Sequence, residues 1–156
     1  MYITEVFSGD RIEVDILPIE DEDFKVIAKR KRFPTFKWKL EKGNIVFKLQ
    51  MVGSDNILGL ISLIYFKEEK FIKINLIQSS KENVGNKKLY DRIAGCLISY
   101  ACRLSFVAGY GGCVALQPKT VIAKHYIDKY QFKIGGKNLY IELVDAENLI
   151  EEYLNN

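Results

Sequence analysis

Alternating apolar and polar positions through the middle of the chain predict a series of β-strands. The strand patterns occupy residues 36–40, 45–51, 57–66 and 70–78, and short polar segments between them are typical of turns. Strands that follow one another after so few residues pair as antiparallel neighbours. The last three patterns therefore predict an antiparallel meander.

The apolar spacing then changes to that of a helix. The positions that recur at helical intervals are Ile93, Leu97, Tyr100 and Leu104. They predict a long buried helix within 89–106, preceded by a polar loop over 79–88. A start near Arg92 gives a helix of about 16 residues, whereas a start near Lys87 gives about 22, well above the usual length. We favour the later start, with Gly85 left in the loop.

The remaining segments complete an α/β (α+β) architecture in a single domain over 1–156. The glycine cluster at 109–112 ends the long helix, and a short strand at 113–117, a helix at 118–130, a hairpin at 132–144 and an amphipathic helix at 146–154 follow. The first 35 residues show a turn at Pro18 and a short helix after an acidic cluster.

Composition narrows the class of protein without naming a function. Apolar residues make up 48% of the chain and charged residues 28%, as in soluble globular proteins. The sequence shows no signal-peptide pattern and no apolar run of membrane-spanning length, so we expect a cytoplasmic protein of bacterial type. Its three cysteines form no CxxC pair and are expected to be buried free thiols.

The charges are distributed unevenly along the chain. Residues 1–24 carry eight acidic residues and one arginine, and residues 25–48 carry nine basic residues and one glutamate. The run KRKR at 29–32 is the densest basic segment, and such runs can bind nucleic acid. No recognised arrangement of aromatic residues accompanies it, so a solvated helix face or loop is the favoured interpretation.

A strand, a polar loop and a helix N-terminus in this order form a candidate anion site. Unpaired N–H groups and the helix dipole favour a phosphate there. Lys87, Lys88 and Arg92 flank this end of the helix, and Gly85 and Gly95 could let a ligand approach the backbone. A glycine in a helix costs about 1 kcal/mol relative to alanine, so the glycine at 95 requires a reason. The segment contains neither a Walker sequence nor GxGxxG.

Two segments resemble motifs of the GNAT superfamily of acetyl-CoA-dependent N-acetyltransferases. RIAGCL at 92–97 is similar to the family's G-x-G-x-x-L at the start of its long helix, with Arg92 and Ala94 where glycines are usual. HYIDKYQF at 125–132 is similar to its aromatic-Tyr-x-x-x-Gly-Phe segment, with Gln131 in place of the glycine. The order of elements over 36–143 also matches the family.

This resemblance implies a mixed, mostly antiparallel sheet flanked by helices, with one splayed pair of strands that holds acetyl-CoA as co-substrate. The pantetheine arm would lie along the strand 70–78 and the pyrophosphate would bind at the first turn of the long helix. The residues implied by their backbone groups are Leu76, Ile77, Gln78, Ile93, Ala94 and Gly95. Those implied by charge or loop position are Gly85, Lys87, Lys88, Arg92 and Lys119.

The resemblance also implies direct attack of an amine on the thioester. Tyr126 matches the tyrosine that lies near the sulfur in the family and would donate a proton to the departing thiolate. No general base is evident; a water chain, Glu68 or Glu69 could serve, and His125 is a weaker candidate. No metal is expected, because one histidine and scattered cysteines do not form a ligand set.

The acceptor is therefore expected to be a small-molecule or peptide amine, without nucleic acid or membrane. Two alternatives remain open: a non-catalytic GNAT-fold module that binds acyl-CoA, and a basic protein associated with nucleic acid through 29–32. The final helix, 146–154, could dock on its own domain or on a second copy in a homodimer.

Overall fold

Strands and helices alternate along the chain in a computed structural model that describes residues 1–118 and 120–155. The strands are β1 (Tyr2–Glu5), β2 (Arg11–Pro18), β3 (Ile45–Met51), β4 (Ile57–Phe66), β5 (Phe71–Ser79), β6 (Tyr90–Asp91), β7 (Val114–Leu116), β8 (Lys133–Gly135) and β9 (Asn138–Ile141). The α-helices are α1 (Asp21–Arg30), α2 (Ile93–Val107), α3 (Thr120–Tyr130) and α4 (Leu143–Tyr153). Short 3-10 turns lie at Trp38–Glu41 and Lys81–Asn83.

The strands form one mixed sheet in the order β6-β1-β2-β3-β4-β5-β7-β9-β8. Every pairing is antiparallel except that of β5 with β7. The parallel pair is joined through α2, as a crossover connection requires. The predicted sheet, mixed and mostly antiparallel with flanking helices, is confirmed.

Helices cover both faces of this sheet. Leu97 and Ile98 of α2 are fully buried in one core with residues of α4, and Phe24 of α1 lies in a second core with Trp38. The apolar face of α4 packs on α2, where Ser99 Oγ donates a hydrogen bond to the carbonyl of Leu149 at 3.1 Å. The last helix therefore docks on its own chain, and this face of it is not a surface for a homodimer.

Most sequence-predicted elements are confirmed, including the β3–β4–β5 meander and the short helix α1. The helix α2 begins at Ile93, which confirms the later start and leaves Gly85 in the loop before it. The strand predicted at 36–40 is wrong: residues Trp38–Glu41 form a 3-10 turn. Its alternating pattern arises because the indole of Trp38 turns into the core, where Nε1 donates to Gln78 Oε1 at 2.8 Å.

The basic run at 29–32 is divided between a helix end and a half-buried ion pair. Lys29 and Arg30 complete the last turn of α1, and Lys31 follows as its left-handed cap. Arg32 Nη1 donates to Asn56 Oδ1 at 2.6 Å, while Nη2 forms an ion pair with Glu82. Arg32 thus ties α1 to the loop before α2, which does not favour a nucleic-acid surface.

Glu82 should make the free energy of unfolding depend on pH in the acidic range. Burial tends to raise the pKa of Glu82, but hydrogen bonds from Arg32, a backbone N–H and Ser80 outweigh it, so the folded-state pKa is lowered. A carboxylate of this kind stabilises the fold above its unfolded pKa, and the contribution is lost as pH falls through the folded pKa.

We therefore expect Glu82→Gln to lower the free energy of unfolding by about 1 kcal/mol at pH 7, and this deficit to shrink as pH falls below about 4.5. Urea unfolding from pH 3 to 7 measures the effect. Glu147→Gln, at an exposed position of α4, is the matched control and should show no such trend. A deficit that grew on acidification would contradict the assignment.

All three cysteines are free thiols, as expected, but only Cys96 and Cys102 are buried, whereas Cys113 is half-buried. Burial raises the pKa of Cys96 to about 11 and that of Cys102 to about 12, so both thiols stay protonated near neutrality. Within residues 1–118 and 120–155, no helix combines the length and hydrophobicity needed to cross a membrane.

Candidate functional site

The parallel strands β5 and β7 separate part-way along β5. Their pairing covers only Ile72 to Ile74 opposite Val114 to Leu116, whereas β5 continues to Ser79. In the β4–β5 register, Ser62 opposes Leu76 and Leu63 opposes Ile74, so Asn75 is the extra residue of a β-bulge. The second half of β5 therefore has an edge without a partner strand in the described residues, open to an extended ligand.

A cleft of about 490 Å³ lies beside this free edge and reaches the start of α2. It brings together most of the residues that the sequence singled out. The predicted residues that line it are Ile77, Gln78, Gly85, Lys88, Arg92, Ile93, Ala94 and Tyr126. Elements more than forty residues apart in sequence thus meet in one cavity.

Three other predicted residues lie outside the lining, and one lies outside the described residues. The side chain of Leu76 packs in the core beneath α1, so only its backbone borders the free edge. Lys87 lines a neighbouring cleft near Phe7. Gly95 is buried behind the cleft, and Lys119 lies outside the described residues.

The first turn of α2 retains the character of an anion site. Arg92 occupies the N-cap position with φ 81°, and its side chain accepts no hydrogen bond from the N–H groups of the first turn. The first helical bond of this end runs from the Cys96 N–H to the carbonyl of Arg92, at 2.9 Å. The preceding N–H groups of Ile93, Ala94 and Gly95 have no acceptor one turn earlier. Such groups bind phosphate at helix N-termini.

Gly95 is explained by packing and not by approach of a ligand. A Cβ at this position would lie 2.2 Å from Cε1 and 2.4 Å from Cζ of Tyr153, far inside van der Waals contact. The ring of Tyr153 on α4 therefore occupies the space that a side chain would need. This corrects the expectation that the glycine opens the backbone to the cofactor.

Arg92 also has a structural role that the sequence did not indicate. Its Nε donates to the carbonyl of Tyr2 at 3.2 Å, and its Nη2 donates to the carbonyl of Glu152 at 2.8 Å. The guanidinium carbon lies 4.1 Å from the ring centre of Tyr2 and 4.7 Å from that of Tyr153. Two of its N–H donors are therefore committed to β1 and α4, although Arg92 still lines the cleft, and its contribution of charge at a phosphate stays a prediction.

The charge at this end of the cleft comes from two lysines around one aspartate. Asp91 Oδ1 lies 3.0 Å from Lys88 Nζ and 3.9 Å from Lys129 Nζ, and it accepts the Arg92 N–H at 2.9 Å. Burial tends to raise the pKa of Asp91, but these hydrogen bonds and positive charges outweigh it and lower the pKa. The aspartate thus stays ionised and holds both lysines beside the helix start.

Sequence reasoning missed Lys129, although a signal was present. Lys129 follows Tyr126 by three positions on α3, so both side chains lie on the same helix face. Thr35 and Phe36 also line the cleft. They come from loops whose positions depend on tertiary contacts, so no local pattern identifies them.

Tyr126 lines the cleft within a group of aromatic rings. Its ring centre is 6.0 Å from that of Tyr130 and 5.9 Å from that of Phe132. Burial raises the pKa of Tyr126, so the phenol is neutral at physiological pH. No hydrogen bond joins its hydroxyl to the rest of the described chain, which leaves the O–H available to a ligand.

The structure changes the list of candidate bases. Glu68 and Glu69 lie in the β4–β5 turn, at the opposite end of β5 from Gln78. Lys70 and Gln78 are eight positions apart along the strand, which corresponds to roughly 26 Å, so neither glutamate can reach the cleft. His125 does line the cleft and is exposed. No group of three or more potential ligands among the described residues could hold a metal ion.

Comparison with known proteins identifies the fold. No family model matches the sequence, and no curated protein matches it significantly. Solved structures do match. Mutant forms of the spermidine/spermine N-acetyltransferase SpeG from Vibrio cholerae align with a TM-score of 0.61 and 16% identity, over 87% of this chain and 98% of theirs. The chain has the GNAT fold.

Two further solved structures align with this chain to a similar extent. A GNAT family acetyltransferase from Brucella melitensis, in complex with acetyl-CoA, aligns with a TM-score of 0.58 and 13% identity over 83% of this chain and 88% of that one. Ard1 from Thermoplasma volcanium aligns with a TM-score of 0.59 and 13% identity, over 84% of this chain and 98% of that one. These likenesses establish the GNAT fold at low sequence identity.

Proposed function

We propose that the protein is an acetyl-CoA-dependent N-acetyltransferase that acts on a primary amine. The observation that supports this most is the meeting of two binding elements in one cleft: the free edge of β5 and the uncapped N-terminus of α2. An extended amide-containing arm suits the first, and a pyrophosphate suits the second. Acetyl-CoA contains both, joined in one molecule.

The chain's own groups would divide the binding of acetyl-CoA between them. Backbone groups of Leu76, Ile77 and Gln78 would pair with the pantetheine amides. The N–H groups at the start of α2 would bind the pyrophosphate, with Lys88 and Lys129 close by to balance its charge. Gly85, in the loop that lines the cleft at φ +83°, allows this loop to turn over the ligand.

In the reaction, the nitrogen of the neutral amine forms a bond to the acetyl carbon and the carbon–sulfur bond breaks. The departing thiolate requires a proton, and Tyr126, which lines the cleft, would donate it from its hydroxyl. The raised pKa of Tyr126 keeps that proton on the phenol until the thiolate forms. The proton that the amine loses restores the phenol.

Thermal unfolding with and without acetyl-CoA tests the proposal. A ligand at a hundred times its dissociation constant stabilises by about 2.7 kcal/mol, which corresponds to a rise of about 5 to 10 °C in Tm. Ala94→Glu should abolish the rise, because it places a carboxylate at the anion site. Val107→Glu adds the same charge at the exposed far end of α2 and should retain it. No rise in the wild-type protein at millimolar acetyl-CoA would overturn the proposal.

Asp91 should weaken the binding of CoA, since its carboxylate lies beside the proposed pyrophosphate position. We expect Asp91→Asn to tighten CoA binding by about three- to tenfold at low ionic strength, because Lys88 and Lys129 would then face the phosphates alone. Calorimetric titration at low and high salt measures this, and screening should reduce the gain. Asp128→Asn removes an exposed carboxylate that pairs with Lys124 and should change nothing. Weaker binding in Asp91→Asn would contradict the expectation.

A further inference from the structure

A second groove, of about 520 Å³, lies between α1 and the 3-10 turn that follows it. Its lining is largely apolar and includes Phe24, Phe33 and Leu40. Phe36 lines both this groove and the cleft beside β5. The two cavities therefore adjoin, so one molecule can extend from the groove into the cleft.

A hydrogen bond links the two cavities a second time. Trp38 lines the groove, and its Nε1 donates to Oε1 of Gln78 at 2.8 Å. Gln78 lies on the free part of β5 and lines the cleft. A ligand in the groove therefore lies within two side chains of the strand edge proposed for the pantetheine arm.

The rim of the groove is positively charged. Lys31, Lys37 and Lys39 line it and are exposed, and none of them forms an ion pair with another described residue. No acidic residue contributes to the described lining. Because opposite charges attract and apolar surface gains by burial, the groove favours a ligand with an apolar body and an anionic group.

Among the described residues, the cleft holds no base strong enough to deprotonate an alkylammonium readily. Asp91 is the only carboxylate in its lining, and Lys88 and Lys129 keep it ionised with a lowered pKa. His125 also lines the cleft, but imidazoles and carboxylates are both far weaker bases than an alkylamine, whose conjugate acid has a pKa of about 10.4. The α-amino group of a peptide has a pKa of only about 7.7 to 8.0, so it is partly neutral near pH 7.5 without a base.

We infer that the acceptor is a short apolar peptide with a free carboxylate, whose body occupies the groove, whose carboxylate meets the lysines of the rim, and whose neutral α-amino group enters the cleft beside Phe36. The inference rests on the proposed function, since it names the acceptor of the same reaction. The amine nitrogen bonds to the acetyl carbon, the carbon–sulfur bond breaks, and the proton that the amine loses restores the phenol of Tyr126. A groove of about 520 Å³ is within the size range of small-molecule sites.

Trp38 allows a test that does not depend on turnover, because it is the only tryptophan in the sequence and lines the groove. Titration of the CoA-saturated protein with the dipeptide leucylphenylalanine should change its fluorescence. The C-terminal amide of this dipeptide lacks only the carboxylate, and it should bind about fivefold or more weakly at low salt, since the attraction to the lysines is lost. No fluorescence response, or equal affinity for the acid and the amide, would overturn the inference.

Two double variants locate the carboxylate. Lys37→Gln combined with Lys39→Gln removes two exposed charges of the rim and should reduce the preference for the acid over the amide to about twofold or less. Lys25→Gln combined with Lys29→Gln, at exposed positions of α1 outside both cavities, is the matched control and should keep the preference. A preference that survives in the rim variant would overturn the inference.

Turnover tests the basicity of the acceptor. At pH 7.5, leucylphenylalanine should be acetylated with a kcat/KM about tenfold or more above that of spermidine, because alkylamines are almost fully protonated at this pH. Spermidine is named for one of the structural neighbours, so it is the informative competitor. A smaller ratio, or a preference for spermidine, would overturn the inference.

Failure of this acceptor class differs from failure of the proposed function. If acetyl-CoA neither shifts the Tm nor donates an acetyl group to any amine, the proposed function fails, whatever Trp38 reports. If acetyl-CoA binds and is consumed with spermidine, while the dipeptide acid and its amide bind equally, only the acceptor class inferred from the groove is wrong.

Discussion

Replacing Tyr126 with phenylalanine is expected to lower kcat about a hundredfold, the usual contribution of a positioned acid, while affinity for acetyl-CoA is unchanged. The substitution removes only the hydroxyl, which bonds to no other described residue, and keeps the ring contacts with Tyr130 and Phe132. The loss should therefore fall on the chemical step. Steady-state release of CoA, together with calorimetric binding, separates the two quantities.

A matched substitution and a pH profile make this result specific. Tyr100→Phe alters another tyrosine, on α2, whose ring packs against Phe47 away from the cleft, and it should leave kcat unchanged. Because burial raises the pKa of Tyr126, the acid form persists at least to its ordinary pKa of about 10, and the wild-type rate should not fall below that pH through loss of this proton. Undiminished turnover in Tyr126→Phe would refute its role as the acid.

The same measurements address the non-catalytic alternative. A binding module would show a thermal shift with acetyl-CoA but release no CoA in the presence of any amine. If the wild-type protein turns over and this turnover depends on Tyr126, the non-catalytic alternative is excluded.

Gly95→Ala is expected to destabilise the protein by about 2 kcal/mol, even though alanine is the better helix former. The new methyl group would lie 2.2 Å from the ring of Tyr153, so α4 must shift, and so close a contact sets the cost at the upper end of the usual range for overpacking, about 3 kcal/mol. The intrinsic gain of about 1 kcal/mol in helix propensity offsets only part of this cost. Thermal unfolding should show a Tm lower by about 4 to 8 °C.

Gly43→Ala provides the control, because a Cβ at that glycine meets no atom within 4 Å. It should leave Tm unchanged or raise it slightly. Truncation of Tyr153 to alanine should remove most of the cost of Gly95→Ala in the double variant. If Gly95→Ala had the same Tm as the wild-type protein, the close approach of α2 and α4 would be disproved. Gly95→Glu is for the same reason unsuitable as a binding variant, since its effect on folding would dominate.

The meander and α2 could be predicted from sequence because their signals are local. Strand alternation and helical spacing are properties of neighbouring residues, and so are the turns between them. The loop before α2 and the helix start were likewise located from polarity and from a usual helix length. These elements place β5, α2 and Tyr126 in one cleft.

The errors in the prediction have a different physical origin. The alternation at 36–40 arises from a single indole that enters the core, and a 3-10 turn satisfies that requirement as well as a strand does. Gly95 lies in a motif that suggests phosphate binding, yet it is committed to a contact with a ring distant in sequence. Lys129 follows Tyr126 at helical spacing, but its pairing with Asp91 on another element is evident only in the folded chain.

The contacts of Arg92 have a consequence for the order of folding. Its two backbone partners lie 90 and 60 positions away along the chain, on β1 and at the end of α4. Closing such long loops is slow, and contacts of this separation form after local helices and hairpins. The proposed phosphate-binding end is therefore expected to be completed late in folding, after the meander that forms its other wall.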